Sequence, residues 1–357
     1  MATEYTCVSR RATGALFSAM AHWHDARALE TADLKHIGHI FWNRREDRPR
    51  MLCRLAAFGV GYVLFVILFL LIAKAIIWAC LGGQSELPED WEAVVESVGS
   101  IAAVCLAGRV LDRRPFTGFG LRFDRDWAID FGFGLALGGL LISTVFLVQL
   151  AAGWVEITGT WVTAKANTWF WAAFALSAFT FALIGFAEEL LFRGYVLTNL
   201  AEGFHFKSAG ARGALLTAIL FSVVIFGALH LSNAHTSTIS TISVCLGGVL
   251  LALGYILTGS LAIPIGLHIT WNLFQTSIFG FPVSGERFSG TTMLATLRNG
   301  PRLWVGDEFG PESGLIALAA VVLGCLLIVS WVRLRYGQVR LCTAIAEPPL
   351  PDPAAHT

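Results

Sequence analysis

Apolar residues run along this chain in stretches of about 20, separated by shorter polar or charged segments. A hydrocarbon core about 30 Å thick is crossed by roughly 20 apolar residues in a helix. The pattern predicts eight spans, at 55–76, 93–110, 128–152, 169–192, 213–231, 239–258, 262–281 and 314–332. The stretch 213–285 contains no Asp, Glu, Lys or Arg, which leaves room for three helices joined by tight turns. Thr258-Gly259-Ser260 supplies one turn, and Pro264 stands where the next helix can begin. The predicted fold class is all-α, a polytopic membrane protein of about eight transmembrane helices.

Composition agrees. Hydrophobic residues make up 55% of the 357 and charged residues 14%, with a mean hydropathy of +0.66. Soluble domains carry about 25% charged residues, and one soluble core of this size could not hide so much apolar surface. Disorder, collagen, coiled coil and a disulfide scaffold are excluded. The seven cysteines are dispersed without a CxxC or a metal spacing and read as small hydrophobes.

Loop charges set the expected orientation. Arg44, Arg45, Arg48, Arg50 and Arg54 precede the first span. Arg109, Arg113, Arg114, Arg122 and Arg125 follow the second, Lys207 and Arg212 the fourth, and Arg333, Arg335 and Arg340 the eighth. Glu86, Glu89, Asp90 and Glu92, after the first span, have no Lys or Arg beside them. Both ends are therefore expected in the cytoplasm, against which Arg287, Arg298 and Arg302 count on the outer side. Without a signal-peptide pattern, the expected location is a bacterial plasma membrane. Residues 1–54 read as a polar cytoplasmic segment, 55–153 as three spans, 314–332 as the last span and 333–357 as a flexible cytoplasmic tail. Most of the 12 tryptophans fall near span ends and read as interfacial belt residues.

Ionisable groups within spans are costly and mark functional sites. Span four ends Phe186-Ala187-Glu188-Glu189-Leu190-Leu191-Phe192-Arg193-Gly194. Glu189 and Arg193 are i,i+4 with the acid first, the favourable order for an ion pair. Glu188 points about 100° away and is left free to work. The plain alternative has all three facing water at a helix end. Ser222, Phe226 and His230 share one helical face, and His268 and Asn272 another. Lipid cannot satisfy these groups, so they must face one another or a wet cavity inside the bilayer. A carboxylate, two imidazoles and an amide there suit amide hydrolysis: proton transfer from water and stabilisation of an oxyanion.

Glu188-Glu189-x-x-x-Arg193, Phe226-x-x-x-His230 and His268-x-x-x-Asn272 resemble the three motifs of the CAAX prenyl protease 2 family, also called the CPBP or Abi intramembrane proteases. Leu191-Phe192-Arg193-Gly194 and Thr258-Gly259-Ser260-Leu261 with Pro264 match its flanks. The resemblance covers about residues 170–280, so 169–281 is expected to be a catalytic core of four helices. It implies that Glu188 and His230 activate water, that His268 and Asn272 stabilise the oxyanion, and that Glu189 and Arg193 are supporting residues. Phe226 packs beside the site. The implied activity is intramembrane endopeptidase, hydrolysing a membrane-associated or lipidated peptide or protein.

These residues suffice without a cofactor. The alternative is a zinc or other divalent metal on Glu188, His230 and His268. A second metal site on His22, His24, His36, His39 and Asp25 competes with simple solvation of a surface segment. The expected partners are the lipid bilayer and a peptide substrate, not nucleic acid. Two further functions compete. A proton- or ion-coupled transporter would use the same buried groups, but the Glu-Glu-x-x-x-Arg motif has no repeat in the chain. A non-catalytic immunity or scaffold protein would keep the pocket without the chemistry.

Overall fold

The computed structural model describes residues 41–348 except 45, 81–88, 165–166, 209, 287 and 289. Eight principal helices occupy most of it: α1 (Met51–Cys80), α2 (Glu89–Val110), α3 (Arg125–Ala151), α4 (Phe170–Gly203), α5 (Gly210–Ser232), α6 (Thr238–Thr258), α7 (Ala262–Leu273) and α8 (Leu315–Tyr336). Among the described residues seven helices, all but α7, are long and apolar enough to cross a membrane. Helix α7 and its π-helical continuation Phe274–Ile278 correspond to the predicted span 262–281. Together they rise about 25 Å, short of a bilayer core, and nearly every residue from Ala262 to His268 is buried. This element is enclosed by the other helices rather than by lipid.

Glycines allow that enclosure. A Cβ at Gly134 or Gly138 of α3 would lie 2.4 Å from the Ile263 carbonyl oxygen or 2.2 Å from that of Leu267. One at Gly266 of α7 would lie 2.4 Å from the Phe131 oxygen. The two backbones meet directly, the small-xxx-small packing by which membrane helices associate. Thr270 Oγ1 adds a hydrogen bond to the Leu135 carbonyl at 2.8 Å. The turn expected at Thr258-Gly259-Ser260 closes α6, with Gly259 left-handed at φ +66°.

One end of the bundle carries most of the arginines. There Arg48, Arg54 and Arg114 pair with Asp112 and Glu202, tying the segment before α1 to the ends of α2 and α4. Arg48, Arg54, Asp112 and Glu202 have nearly fully buried side chains. Arg48 and Arg54, expected as solvated charges ahead of the first span, are thus internal. Helix α1 begins at Met51 and takes Arg54 in.

The other end carries an element the hydrophobic pattern did not predict. Strands Val155–Val162 and Thr292–Arg298 pair antiparallel, linking the exit of α3 to the segment before α8. The flexible tail expected from residue 333 is corrected as far as Ala346. Helix α8 continues to Tyr336, and beyond it Ile345 and Ala346 are buried. Cys342 N–H bonds the Ile256 carbonyl at 2.7 Å, and the Ala346 carbonyl accepts from His205 Nδ1 at 3.0 Å. Residues 349–357 and the histidine group at 22–39 lie outside the described residues.

Candidate active site

Glu188 and Glu189 close the α-helical part of α4, where the turn widens to a π-helix over Leu190–Leu197. Such widened turns are rare and recur at functional sites. Glu189 is fully buried, and its Oε1 accepts from Arg193 Nη1 at 2.8 Å and from His268 Nδ1 at 2.8 Å. Arg193 also donates through Nη2 to the Gly248 carbonyl of α6 at 3.2 Å. Its guanidinium lies 4.5 Å from the centre of the Phe226 ring on α5. One ion pair in α4 thereby holds α5, α6 and α7 in register. The i,i+4 pairing expected from the sequence is present.

Glu188 faces the other way. Its side chain keeps 31% exposure, against none for Glu189, and it lines a cavity of about 480 Å³. Its Oε2 stands 3.8 Å from His268 Nε2, too long for a direct hydrogen bond. A water between them can bond both. Because His268 Nδ1 donates to Glu189, the ring is fixed with Nε2 toward the cavity. Asn272, one turn further along α7, lines the same cavity.

His230 also lines it. It sits in the single 3-10 turn that ends α5, in the last residues of the span. Its Nδ1 is 2.8 Å from the Phe226 carbonyl oxygen, so Nδ1 carries the proton and Nε2 is left as an acceptor. No hydrogen bond or ion pair joins His230 to Glu188. His268 is the imidazole nearest to that carboxylate. Phe226 packs its ring 4.7 Å from the His230 ring and 4.9 Å from that of Phe192. Among the described residues no group of three His, Cys, Asp or Glu side chains is arranged to hold a metal ion.

Several lining residues escaped the sequence reading. Tyr62 of α1 and Glu96, Ser97 and Ser100 of α2 form one wall. Glu96 fell inside the predicted span 93–110, and its intramembrane carboxylate was the available signal. Tyr62 carried none. Trp271, expected in the interfacial belt, also faces the cavity. Glu312, just before α8, is half-buried and lines the same cavity. It accepts from the Ser284 backbone N–H and from Gln275 Nε2. Burial pushes its carboxyl up to about 7 against those bonds and the nearby Arg298 charge.

Residues 167–274 match the family model described as "Type II CAAX prenyl endopeptidase Rce1-like". No curated protein and no solved structure matches the chain. The matched segment runs from the approach to α4 through α7 and includes Glu188, Glu189, Arg193, Phe226, His230, His268 and Asn272. Over residues 167–274, therefore, the chain is similar to the Rce1-like type II CAAX prenyl endopeptidases.

Proposed function

We propose that the protein hydrolyses peptide bonds in the cavity between α2, α4, α5 and α7, with Glu188 as general base. The observation that carries this reading is the pairing of opposites at one helix end. Glu189 is fully buried and engaged twice, while Glu188 beside it accepts no direct hydrogen bond, opens to the cavity and faces an oriented imidazole.

In the proposed reaction a water held between Glu188 and His268 gives its proton to the Glu188 carboxylate. The water oxygen attacks the carbonyl carbon, and the C=O π pair moves to oxygen. That oxyanion accepts from the Asn272 amide and from Nε2–H of His268, which as an imidazolium donates through both ring nitrogens. His230, with Nε2 free, receives a hydrogen bond from the same water and helps to aim it. Glu188 then returns the proton to the amide nitrogen as the C–N bond breaks, leaving a carboxylic acid and an amine. Glu189 and Arg193 do not touch the substrate but fix His268. The substrate is a membrane-associated or lipidated peptide or protein. The alternative catalyst, a divalent metal on Glu188, His230 and His268, predicts a different response to chelation.

Both chain ends are assigned to the cytoplasmic side of a bacterial plasma membrane. The support is the run of positive charges at one end of the bundle.

The test is cleavage of a quenched-fluorescence peptide library by detergent-purified protein. Activity in the wild type, lost in Glu188→Gln and insensitive to chelator, is expected. Loss with chelator and recovery with zinc would replace the base by a metal. Equal activity in wild type and Glu188→Gln would end the glutamate reading. Proton-gradient-driven flux abolished by the same substitution would favour the transporter.

A further inference from the structure

The two ends of the bundle differ in charge, and the cavity reaches only one of them. Its outer rim is made by Asn233 after α5, Ser284 and Glu286 after α7, and Glu312 before α8. All stand at the end where the strands Val155–Val162 and Thr292–Arg298 pair. At that end the described residues carry Arg298 and Arg302, with Lys74 in the last turns of α1. The floor is apolar, formed by Phe192, Leu251 and Leu267.

Below the floor the bundle is closed. Phe119, Tyr195, Leu197, Tyr255 and Leu261 are all 3% exposed or less. The rings of Phe119 and Tyr195 lie 5.8 Å apart, Thr198 and Tyr255 share a hydrogen bond at 2.9 Å, and Leu261 N–H bonds the Gly120 carbonyl at 3.0 Å. Beneath this plug lies the buried cluster of Arg48, Arg54, Arg114, Asp112 and Glu202. None of the connections at that end, at 111–124, 204–208 and 259–261, lines the cavity. A peptide approaching from that side would have to cross a packed apolar layer and a paired ionic one.

We propose that the substrate reaches the site from the arginine-poor, extracytoplasmic face. The substrate class is then a polypeptide whose scissile bond lies on, or has been carried across to, that side: an exported peptide or the outer end of a membrane-spanning segment. A lipidated tail that stays on the cytoplasmic side does not reach Glu188. This rests on the peptidase reading and on the orientation given above, and it narrows the substrate left open there.

The test separates orientation, access and chemistry. Cys80, exposed at the arginine-poor end of α1, reports one face. Ser208→Cys, in the exposed connection between α4 and α5, reports the other. A sulfonated, membrane-impermeant maleimide on intact cells is expected to label Cys80, with the signal lost in Cys80→Ser, and to label Ser208→Cys only after permeabilisation. Leu303→Cys, exposed beside the strand pair, repeats the first readout at a position independent of α1. Right-side-out and inverted vesicles are then given a quenched peptide library bearing a sulfonated, impermeant fluorophore, with Glu188→Gln vesicles as the blank. Cleavage by right-side-out vesicles, at least tenfold above that by inverted ones, is expected. Glu188-dependent cleavage in detergent combined with cleavage confined to inverted vesicles overturns this inference and leaves the peptidase reading standing. Labelling of Ser208→Cys but not Cys80 on intact cells overturns the orientation. No Glu188-dependent cleavage in detergent overturns the peptidase reading, and the substrate claim with it.

Discussion

Glu188 and Glu189 are adjacent in sequence and opposite in environment. Glu189 accepts two charge-assisted bonds with no water contact, so losing Arg193 strands a buried carboxylate. Arg193→Ala should destabilise the fold by about 3–5 kcal/mol, read as a large drop in thermal midpoint or in yield of monodisperse protein. Arg193→Lys keeps the charge but not the fork that reaches both Glu189 and Gly248, so part of the loss should remain. Glu188→Gln should leave the thermal midpoint within a few degrees and abolish Glu188-dependent cleavage. If the two substitutions gave the same phenotype, the division between supporting and reacting carboxylate would be wrong.

Glu312 gives a residue-scale prediction with a sign. Its folded value near 7 lies above the usual 4.5, so the native state holds its proton where the unfolded chain has released it. Stability from this group is fully present below about pH 4.5 and falls as pH rises through 7, by about 3 kcal/mol in all. In Glu312→Gln that fall should vanish, visible as a flatter thermal midpoint between pH 5 and 8. An unchanged slope would mean that Glu312 is ionised and solvated.

At the scale of elements, the site depends on how closely α3 and α7 approach. Gly138→Val would drive a side chain into the Leu267 carbonyl and displace the helix that carries His268 and Asn272. Both stability and cleavage should suffer, although Gly138 is outside the cavity. Gly132→Val is the control, because nothing lies within 4 Å of a Cβ there, and it should behave as wild type. Equal effects at the two positions would mean that loss of glycine in α3, not contact with α7, is being measured. The π-helical turn after Glu189 works at the same scale. The Glu189–Arg193 ion pair spans its first turn.

At the scale of the molecule, the ionic cluster at the arginine-rich end joins three parts of the chain distant in sequence. Glu202 alone pairs with Arg48, Arg54 and Arg114. Glu202→Gln should cost about 3–5 kcal/mol by leaving buried guanidinium groups under-compensated. Limited proteolysis should then cut first near residues 41–50, where the segment before α1 is released. Cleavage first in the connections at the opposite end would place the weak point elsewhere.

The membrane class and the helices were legible because lipid imposes a one-dimensional rule: a spanning segment must be long, apolar and internally hydrogen-bonded. The Glu189–Arg193 pair was legible because helical spacing is local, and residues four apart must meet. The pairing of strands Val155–Val162 and Thr292–Arg298 was not, since it joins segments more than a hundred residues apart and neither has a periodicity stronger than its loop context. Nor was the burial of Arg48 and Arg54. Charge in a sequence reads as solvated, and only the arrival of Glu202 and Asp112 from other helices makes the interior tolerable. The same holds at the site. The sequence determined which carboxylate, imidazole and amide groups sit in membrane helices, because each is costly there and must have polar company. Tertiary structure alone decided that His268 rather than His230 faces Glu188, that Tyr62, Glu96 and Glu312 share the cavity, and which end of the bundle is open. Those are consequences of close backbone packing between α3 and α7 and of a plugged floor, contacts set in three dimensions that leave no periodic trace along the chain.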